Sequence, residues 1–104
     1  TSHEEAMDHP DVDAVVIATP DHWHTHQILD AAKRQKHIYC EKPLTLTLRE
    51  AQRVIPAVNK AGVVFQTGSQ QRTEFGQKFV QASELIRNGR LGEVMTVHVG
   101  VGEE

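Results

Sequence analysis

Polar and ionisable side chains follow three short apolar segments of this sequence, and they are the residues best placed to do chemistry. The three groups are Thr19-Pro20-Asp21-His22, Glu41-Lys42-Pro43 and Gly68-Ser69-Gln70-Gln71-Arg72. A neighbouring carboxylate and amine, such as Glu41 and Lys42, can bind hydroxyl groups and transfer protons. Most such pairs are solvated surface charges. The position of this pair directly after an apolar segment, with Pro43 restricting the backbone, favours a functional role.

The apolar segments that precede these groups are predicted strands. They are Asp13–Ala18, His37–Cys40 and Val63–Thr67, and the first of them is rich in β-branched residues. The first segment has no polar alternation, which is typical of a strand buried on both faces of a parallel sheet. We therefore expect each polar group to begin where a strand ends.

Helices are predicted between the strands. Asp21 is a candidate N-cap for a helix over residues 22–35. Thr47 and Glu50 have the spacing of a capping box at the start of a second helix, and Gly62 is a typical C-terminal stop. Strands that alternate with helices over short connections predict an α/β fold with a parallel sheet and right-handed crossovers.

The last third of the chain follows a different pattern. A helix is predicted over residues 75–88, and Val94–Val99 alternates as a strand with one solvated face does. The change from continuous to alternating strands indicates a domain boundary near Gly68–Arg72. We predict one domain over residues 1–69 and the start of a second over residues 70–104.

Ligands of open parallel sheets bind beyond the carboxyl ends of the strands. The three polar groups follow three such strands, so we expect them to meet at one edge of the sheet. The sequence therefore predicts a single ligand site that all three groups share.

The composition excludes several classes of partner. The 104 residues carry 11 Lys and Arg against 14 Asp and Glu, a net charge of −3, which argues against a nucleic-acid partner. No apolar run approaches the ~18 residues of a membrane span, so no membrane partner is predicted. The single cysteine, Cys40, cannot form an internal disulfide and fits a reducing compartment. We predict a cytoplasmic location, with an exported form left open because the sequence lacks an initiating Met.

A metal site is a competing interpretation of the first polar group. Among seven histidines, His22, His24 and His26 alternate along one segment, but only His22 and His26 share a helical face. No third ligand is evident, so we predict no metal. Cys40 is predicted to point into the core rather than to act as a nucleophile. The remaining histidines are predicted to be surface or strand-edge residues: His3, His9, His37 and His98.

Five stretches of the sequence stand in order and at consistent spacing. They are Asp11–Pro20, His24, Cys40–Leu44, Gly68–Arg72 and Ile86–Val94. This ordered set covers almost the whole chain and resembles the glucose–fructose oxidoreductase, inositol dehydrogenase and rhizopine-catabolism (Gfo/Idh/MocA) family of NAD(P)-dependent oxidoreductases.

The resemblance implies a partial chain. Family members open with a strand and a GxGxxG phosphate loop, whereas the only G-x-G here is Gly100-Val101-Gly102. By this resemblance the three strands are the C-terminal half of a Rossmann-type parallel sheet. The fourth strand then begins an α+β substrate and oligomerisation domain, with a catalytic Asp and His beyond Glu104. We expect residues 1–104 alone to be weakly stable and inactive, and the full-length protein to be a homo-oligomer.

Site residues follow from the matching positions. The cofactor-binding set implied by the resemblance is Thr19, Pro20, Asp21, His22, His24, Glu41, Lys42, Pro43 and Arg72. Glu41 resembles the carboxylate that accepts hydrogen bonds from the nicotinamide ribose, and Lys42 resembles the catalytic lysine. A cis Lys42–Pro43 bond would fix the direction of that lysine. Asp21 and Gln71 depart from the Asn and Arg that are common in relatives.

The implied activity is hydride transfer between NAD or NADP and a sugar, cyclitol or related polyol. Oxidation of a secondary alcohol needs a group that takes the hydroxyl proton, and a buried Lys42 beside a cationic ring is suited to that role. Two alternatives remain. One is an NAD-retaining glycoside hydrolase of the same fold, which the presence of Lys42 disfavours. The other is a non-catalytic regulator that senses a nucleotide or sugar.

Overall fold

Helices and strands alternate along the first two thirds of the protein, as the apolar segments predict. The structure is a computed structural model that describes residues 2–100. Its helices and strands are α1 His3–Asp8, β1 Ala14–Ile17, α2 Asp21–Lys33, β2 His37–Glu41, α3 Leu48–Ala61, β3 Phe65–Gly68 and α4 Lys78–Arg87. Two short 3-10 turns, Gln70–Arg72 and Phe75–Gln77, precede α4.

The three strands form one parallel sheet in the order β1-β2-β3. Each strand is joined to the next by a helix, which is the arrangement of consecutive βαβ units. The predicted parallel sheet is therefore confirmed. The register sets the three carboxyl ends nearly level, because Ile17 lies opposite Cys40 and Cys40 lies opposite Thr67.

The hydrophobic core lies on one face of the sheet, between the strands and helices α2 and α3. Its buried members are Met7, Ile17, Ile28, Ala31, Ala32, Ile38, Cys40 and Val54. The prediction that β1 is buried on both faces is wrong for this chain, since Ile17 is 3% exposed but its neighbour Val16 is 73% exposed. Successive side chains of a strand point to opposite faces, and no described residue of this unit covers the second face.

The helix ends agree with the signals in the sequence, except that α2 begins one residue earlier than predicted. The capping box at Thr47 and Glu50 is present, and Gly62 ends α3 in the left-handed conformation with φ of 66°. Asp21 is the first residue of α2 rather than its N-cap, which is Pro20. Proline fits this place because it has no backbone N–H to satisfy and its φ is fixed near the helical value. The Asp21 carboxylate still accepts a hydrogen bond from the His22 amide at 2.9 Å.

Helix α1 lies in the polar N-terminal segment, before the first strand. Ser2 is its N-cap, and the Ser2 hydroxyl accepts a hydrogen bond from the Glu5 amide at 3.3 Å. Met7 anchors the helix, because its side chain is 4% exposed and belongs to the core. A serine followed three residues later by glutamate is the sequence signal for this start.

The chain divides into two compact units, the first ending at Ser69 and the second beginning at Gln70. In the second unit the predicted helix over residues 75–88 is shortened to α4, because Gly76 and Gln77 adopt left-handed backbone with φ of 76° and 57°. The predicted strand Val94–Val99 is wrong. Within residues 2–100 this segment pairs with no other strand, and Val97 and Val99 are 72% and 85% exposed. An alternating pattern specifies the two faces of a strand but does not supply its hydrogen-bonding partner.

Across residues 2–100, no helix combines the length and the apolar character that a bilayer crossing needs.

Candidate active site

Polar groups gather where the three strands end, as the parallel topology requires. The segment after β1 contains Thr19 and Pro20, and the segment after β2 contains Lys42 and Pro43. Glu41 is the last residue of β2 and lies opposite Gly68, the last residue of β3. The first unit therefore brings together the first two predicted groups and the beginning of the third.

A single histidine ties the first two strand ends together. The His24 side chain is 1% exposed beneath the two segments. Its Nε2 lies 2.8 Å from the backbone carbonyl oxygen of Thr19, and its Nδ1 lies 2.7 Å from that of Pro43. Both acceptors are carbonyl oxygens, so a neutral ring donates to only one of them and a protonated ring donates to both.

The position of His24 gives it a structural task at this site. The sequence places His24 among the expected cofactor-binding residues. In the structure it lies under the two segments, and its contacts hold the backbone that follows β1 and the backbone that follows β2. Thr19 makes a second contact with α2, because its hydroxyl donates a hydrogen bond to the buried Gln27 side chain at 2.7 Å. The segment after β1 is therefore fixed to α2 at two points.

Replacing His24 with alanine should destabilise the full-length protein by about 2–4 kcal/mol, because it removes a buried ring in contact with two backbone carbonyls and leaves a void. Denaturant unfolding measures this change in the free energy of unfolding. The matched control is His22→Ala, which removes an exposed ring from the same helix and should change the free energy by about 0.5 kcal/mol or less. Equal effects of the two substitutions would contradict the role assigned to His24.

Glu41 and Gly68 are in unusually close contact. A Cβ atom built on Gly68 would lie 2.8 Å from both Cδ and Oε1 of Glu41, closer than real side chains approach. The Glu41 carboxylate therefore occupies the space that any larger residue at position 68 would need. Its Oε2 also accepts a hydrogen bond from the Lys42 amide at 3.3 Å. These contacts hold a half-buried carboxylate at the end of the middle strand.

Lys42 and Pro43 follow on the exposed side of the same strand end. The Lys42–Pro43 peptide bond is cis, which confirms the sequence expectation. The Lys42 side chain is exposed, not buried as a closed site requires, because no described residue of the first unit covers it. The Pro43 carbonyl that follows is the one held by His24. The lysine is thus attached to a backbone segment that is fixed on both sides.

Cys40 lies below the site and takes no part in it. Its side chain is fully buried in the core, as predicted. Burial, reinforced by the nearby negative charge of Glu41, raises the pKa of Cys40 to about 11. The thiolate is the reactive form of cysteine, so a thiol with this pKa is a poor nucleophile at neutral pH.

The other predicted residues have separate positions. Asp21 is half-buried and His22 is exposed at the first turn of α2, next to the segment after β1. Arg72 belongs to the 3-10 turn Gln70–Arg72 of the second unit, where it lines a cavity of about 250 Å³. A cofactor contact of Arg72 stays a prediction.

The structure excludes the alternating histidines as a metal triad. Both nitrogens of His24 already contact backbone carbonyls, so His24 cannot also ligate an ion. His3 is a partly exposed residue with a partner in another helix, because its Nε2 contacts Asp30 Oδ2 at 3.1 Å. Twenty-seven positions separate these residues. No local pattern in the sequence signals a contact of that range.

Comparison with known proteins identifies the family. A sequence profile described as an oxidoreductase family with an NAD-binding Rossmann fold, GFO_IDH_MocA, matches residues 1–69. The chain belongs to this family. The resemblance found in the sequence motifs is thereby confirmed, and the parallel sheet of the first unit is part of a Rossmann-type fold.

Individual relatives agree with this assignment. The 1,5-anhydro-D-fructose reductase of Ensifer adhaerens is 37% identical over 99 residues, which are 95% of this chain and 29% of that protein. The myo-inositol 2-dehydrogenase of Thermotoga maritima is 36% identical over 89 residues, or 86% of this chain and 26% of that protein. The chain thus spans little more than a quarter of the length of these relatives.

A solved structure supports the same assignment of the fold. Scyllo-inositol dehydrogenase from Lactobacillus casei, crystallised with NAD(H) and scyllo-inositol, aligns with a TM-score of 0.81 and 26% identity. The alignment covers 89% of this chain and 27% of that one.

Proposed function

We propose that this chain forms the nicotinamide-binding half of an NAD(P)-dependent oxidoreductase that acts on a sugar, cyclitol or related polyol. The observation that carries the proposal is the Glu41–Lys42 pair at the end of the middle strand. Glu41 is held against Gly68, and the segment after Lys42 is held by His24. The Glu41 carboxylate and the backbone that carries Lys42 are held at the carboxyl edge of a Rossmann-type sheet, where such sheets bind their ligands.

The residues present fit a nicotinamide ribose. Gly68 has no side chain, so the Glu41 carboxylate packs close to the backbone of β3 at the carboxyl end of the sheet. A carboxylate accepts strong hydrogen bonds from ribose hydroxyls. We assign Glu41 to the ribose, and Thr19, Pro20, Asp21 and His22 to the same cofactor from the segment after β1. His24 acts on the cofactor through the two segments that it positions.

Lys42 is assigned to the reacting oxygen. A bound nicotinamide supplies the hydride acceptor for alcohol oxidation. The Lys42 amine holds a hydrogen bond to the hydroxyl of the alcohol and takes its proton as the carbonyl forms. In the reverse direction the ammonium returns the proton to the carbonyl oxygen. The contact of His24 with the Pro43 carbonyl and that of the Glu41 carboxylate with the Lys42 amide locate the backbone that carries this side chain.

We further propose that β1–β3 are the C-terminal half of the complete cofactor-binding sheet. The uncovered face at Val16 and the relatives' greater length support this. Residues 70–104 are assigned to the start of the substrate and oligomerisation domain of a homo-oligomer. The buried free thiol of Cys40 supports a cytoplasmic location.

The proposal is tested with the full-length protein, NAD⁺ or NADP⁺, and a panel of inositols and sugars. Reduction of the nicotinamide is followed by its absorbance. The expected result is turnover of at least one polyol, with one reduced nicotinamide formed per ketone. An aryl glycoside is assayed in parallel without added cofactor. Cleavage of that glycoside, with no polyol oxidised, would contradict the proposal and indicate hydrolysis by the same fold.

A further inference from the structure

Four potential metal ligands converge between helices α1 and α2. They are His3, Glu4, His26 and Asp30. Each offers one ligand atom, and these four atoms all lie within 4.8 Å of one another. Two of the residues come from α1 and two from α2, so their approach is a product of the tertiary fold. The cluster takes no part in the proposed oxidoreductase chemistry.

Three distances within the cluster are close to those of a tetrahedral ion site. His3 Nε2 lies 3.1 Å from Asp30 Oδ2 and 3.5 Å from Glu4 Oε1. His26 Nε2 lies 3.6 Å from the same Asp30 oxygen. Zinc bonds of about 2.0–2.1 Å in tetrahedral geometry place neighbouring ligand atoms about 3.3 Å apart. The three observed distances lie within a few tenths of an ångström of this value, and all four ligand atoms lie within 4.8 Å of one another.

The two carboxylate oxygens of Asp30 contact different partners. Oδ2 faces the two histidines, and Oδ1 faces Arg34, whose Nη1 lies 3.7 Å away. Arg34 also pairs with Asp8 on α1. Asp30 is thus oriented by a cation on one side while its other oxygen stays directed at the cluster. This outer contact resembles the supporting interactions that fix carboxylate ligands in metal sites.

Charge and access also suit a divalent cation. Two imidazoles and two carboxylates form a mixed nitrogen and oxygen donor set with two formal negative charges. The His3 and Asp30 side chains are 24% and 23% exposed, and that of His26 is 56% exposed. The cluster is partly shielded and still open to solvent.

We propose that His3, Glu4, His26 and Asp30 form a binding site for a divalent ion of the zinc class that joins α1 to α2. The ion replaces the hydrogen bonds and ion pairs within the cluster by four coordinate bonds. The site is structural, since every ligand position comes from protein. It is different from the alternating histidines, because His3 takes part and His22 and His24 do not.

The test is calorimetric titration of the metal-stripped, untagged full-length protein with zinc chloride. We expect one zinc per chain at this site, with a dissociation constant of about 1 μM or below. His3→Gln and Glu4→Gln should each weaken binding about tenfold or more, and zinc should raise the melting temperature of the wild type by more than that of either variant. Cobalt(II), added in place of zinc, should give the visible absorption of a tetrahedral complex.

The matched control is His22→Gln, which also removes one histidine from the first turns of α2 and should leave zinc affinity unchanged. Absence of uptake by the wild type would overturn the proposal. Loss of uptake in His22→Gln, with retention in both His3→Gln and Glu4→Gln, would also overturn it, because the ion would then lie on α2 alone.

Discussion

Replacing Lys42 with alanine in the full-length protein should lower kcat for polyol oxidation by about 100-fold or more. The amine is assigned to the proton of the reacting hydroxyl, and no described residue of the first unit offers a second amine at this strand end. Binding of the cofactor should change less than turnover, because Glu41 and the segment after β1 are left in place. Steady-state kinetics with saturating cofactor measures the effect.

Two further variants separate proton transfer from charge. Lys42→Arg keeps a positive charge but cannot give up a proton near neutral pH, so it should lose most of the activity as well. Lys60→Ala removes an exposed lysine from the last turn of α3 and should leave kcat unchanged. Turnover of Lys42→Ala within a factor of two or so of the wild type would remove Lys42 from the chemistry.

Replacing Glu41 with glutamine should raise the dissociation constant for NAD⁺ by about tenfold or more, because a charge-assisted hydrogen bond to the ribose is lost. The amide is nearly isosteric with the carboxylate, so the fold should not change. Calorimetry with the full-length protein gives the dissociation constant. Glu5→Gln is the control, since Glu5 is an exposed carboxylate on α1.

Gly68→Ala tests the placement of the Glu41 carboxylate by adding a methyl group beside it, and it leaves the charge of Glu41 unchanged. The added methyl group would overlap the carboxylate of Glu41, which lies at the end of a flexible side chain and can rotate away. The free energy of unfolding should therefore fall by only about 1 kcal/mol. Affinity for NAD⁺ should fall as it does in Glu41→Gln. Unchanged affinity in both variants would contradict the assignment of Glu41 to the cofactor.

Local chemistry in the sequence was sufficient to predict the elements that position the site. The capping box at Thr47 and the stop at Gly62 were found because each depends on residues only a few positions apart. The parallel order of the strands followed from short helical connections, and it implies that Glu41 and Gly68 end neighbouring strands. These features needed no knowledge of distant contacts.

Features that depend on tertiary contact were not predictable in this way. His24 acts on two backbone carbonyls, of Thr19 and Pro43, and its burial under both follows only once α2 packs on the sheet. The strand predicted at Val94–Val99 failed because periodicity does not provide a pairing partner. The contact of His3 with Asp30 joins two helices, and nothing in either helix alone indicates it.

A structure of the full-length protein with NAD⁺ and a bound polyol is the most direct examination of the active site. The Glu41 carboxylate should lie within about 3 Å of a ribose hydroxyl, and Lys42 Nζ within about 3 Å of the hydroxyl that reacts. A nicotinamide bound at another edge of the sheet, or a Lys42 side chain turned away from the polyol, would contradict the assignment.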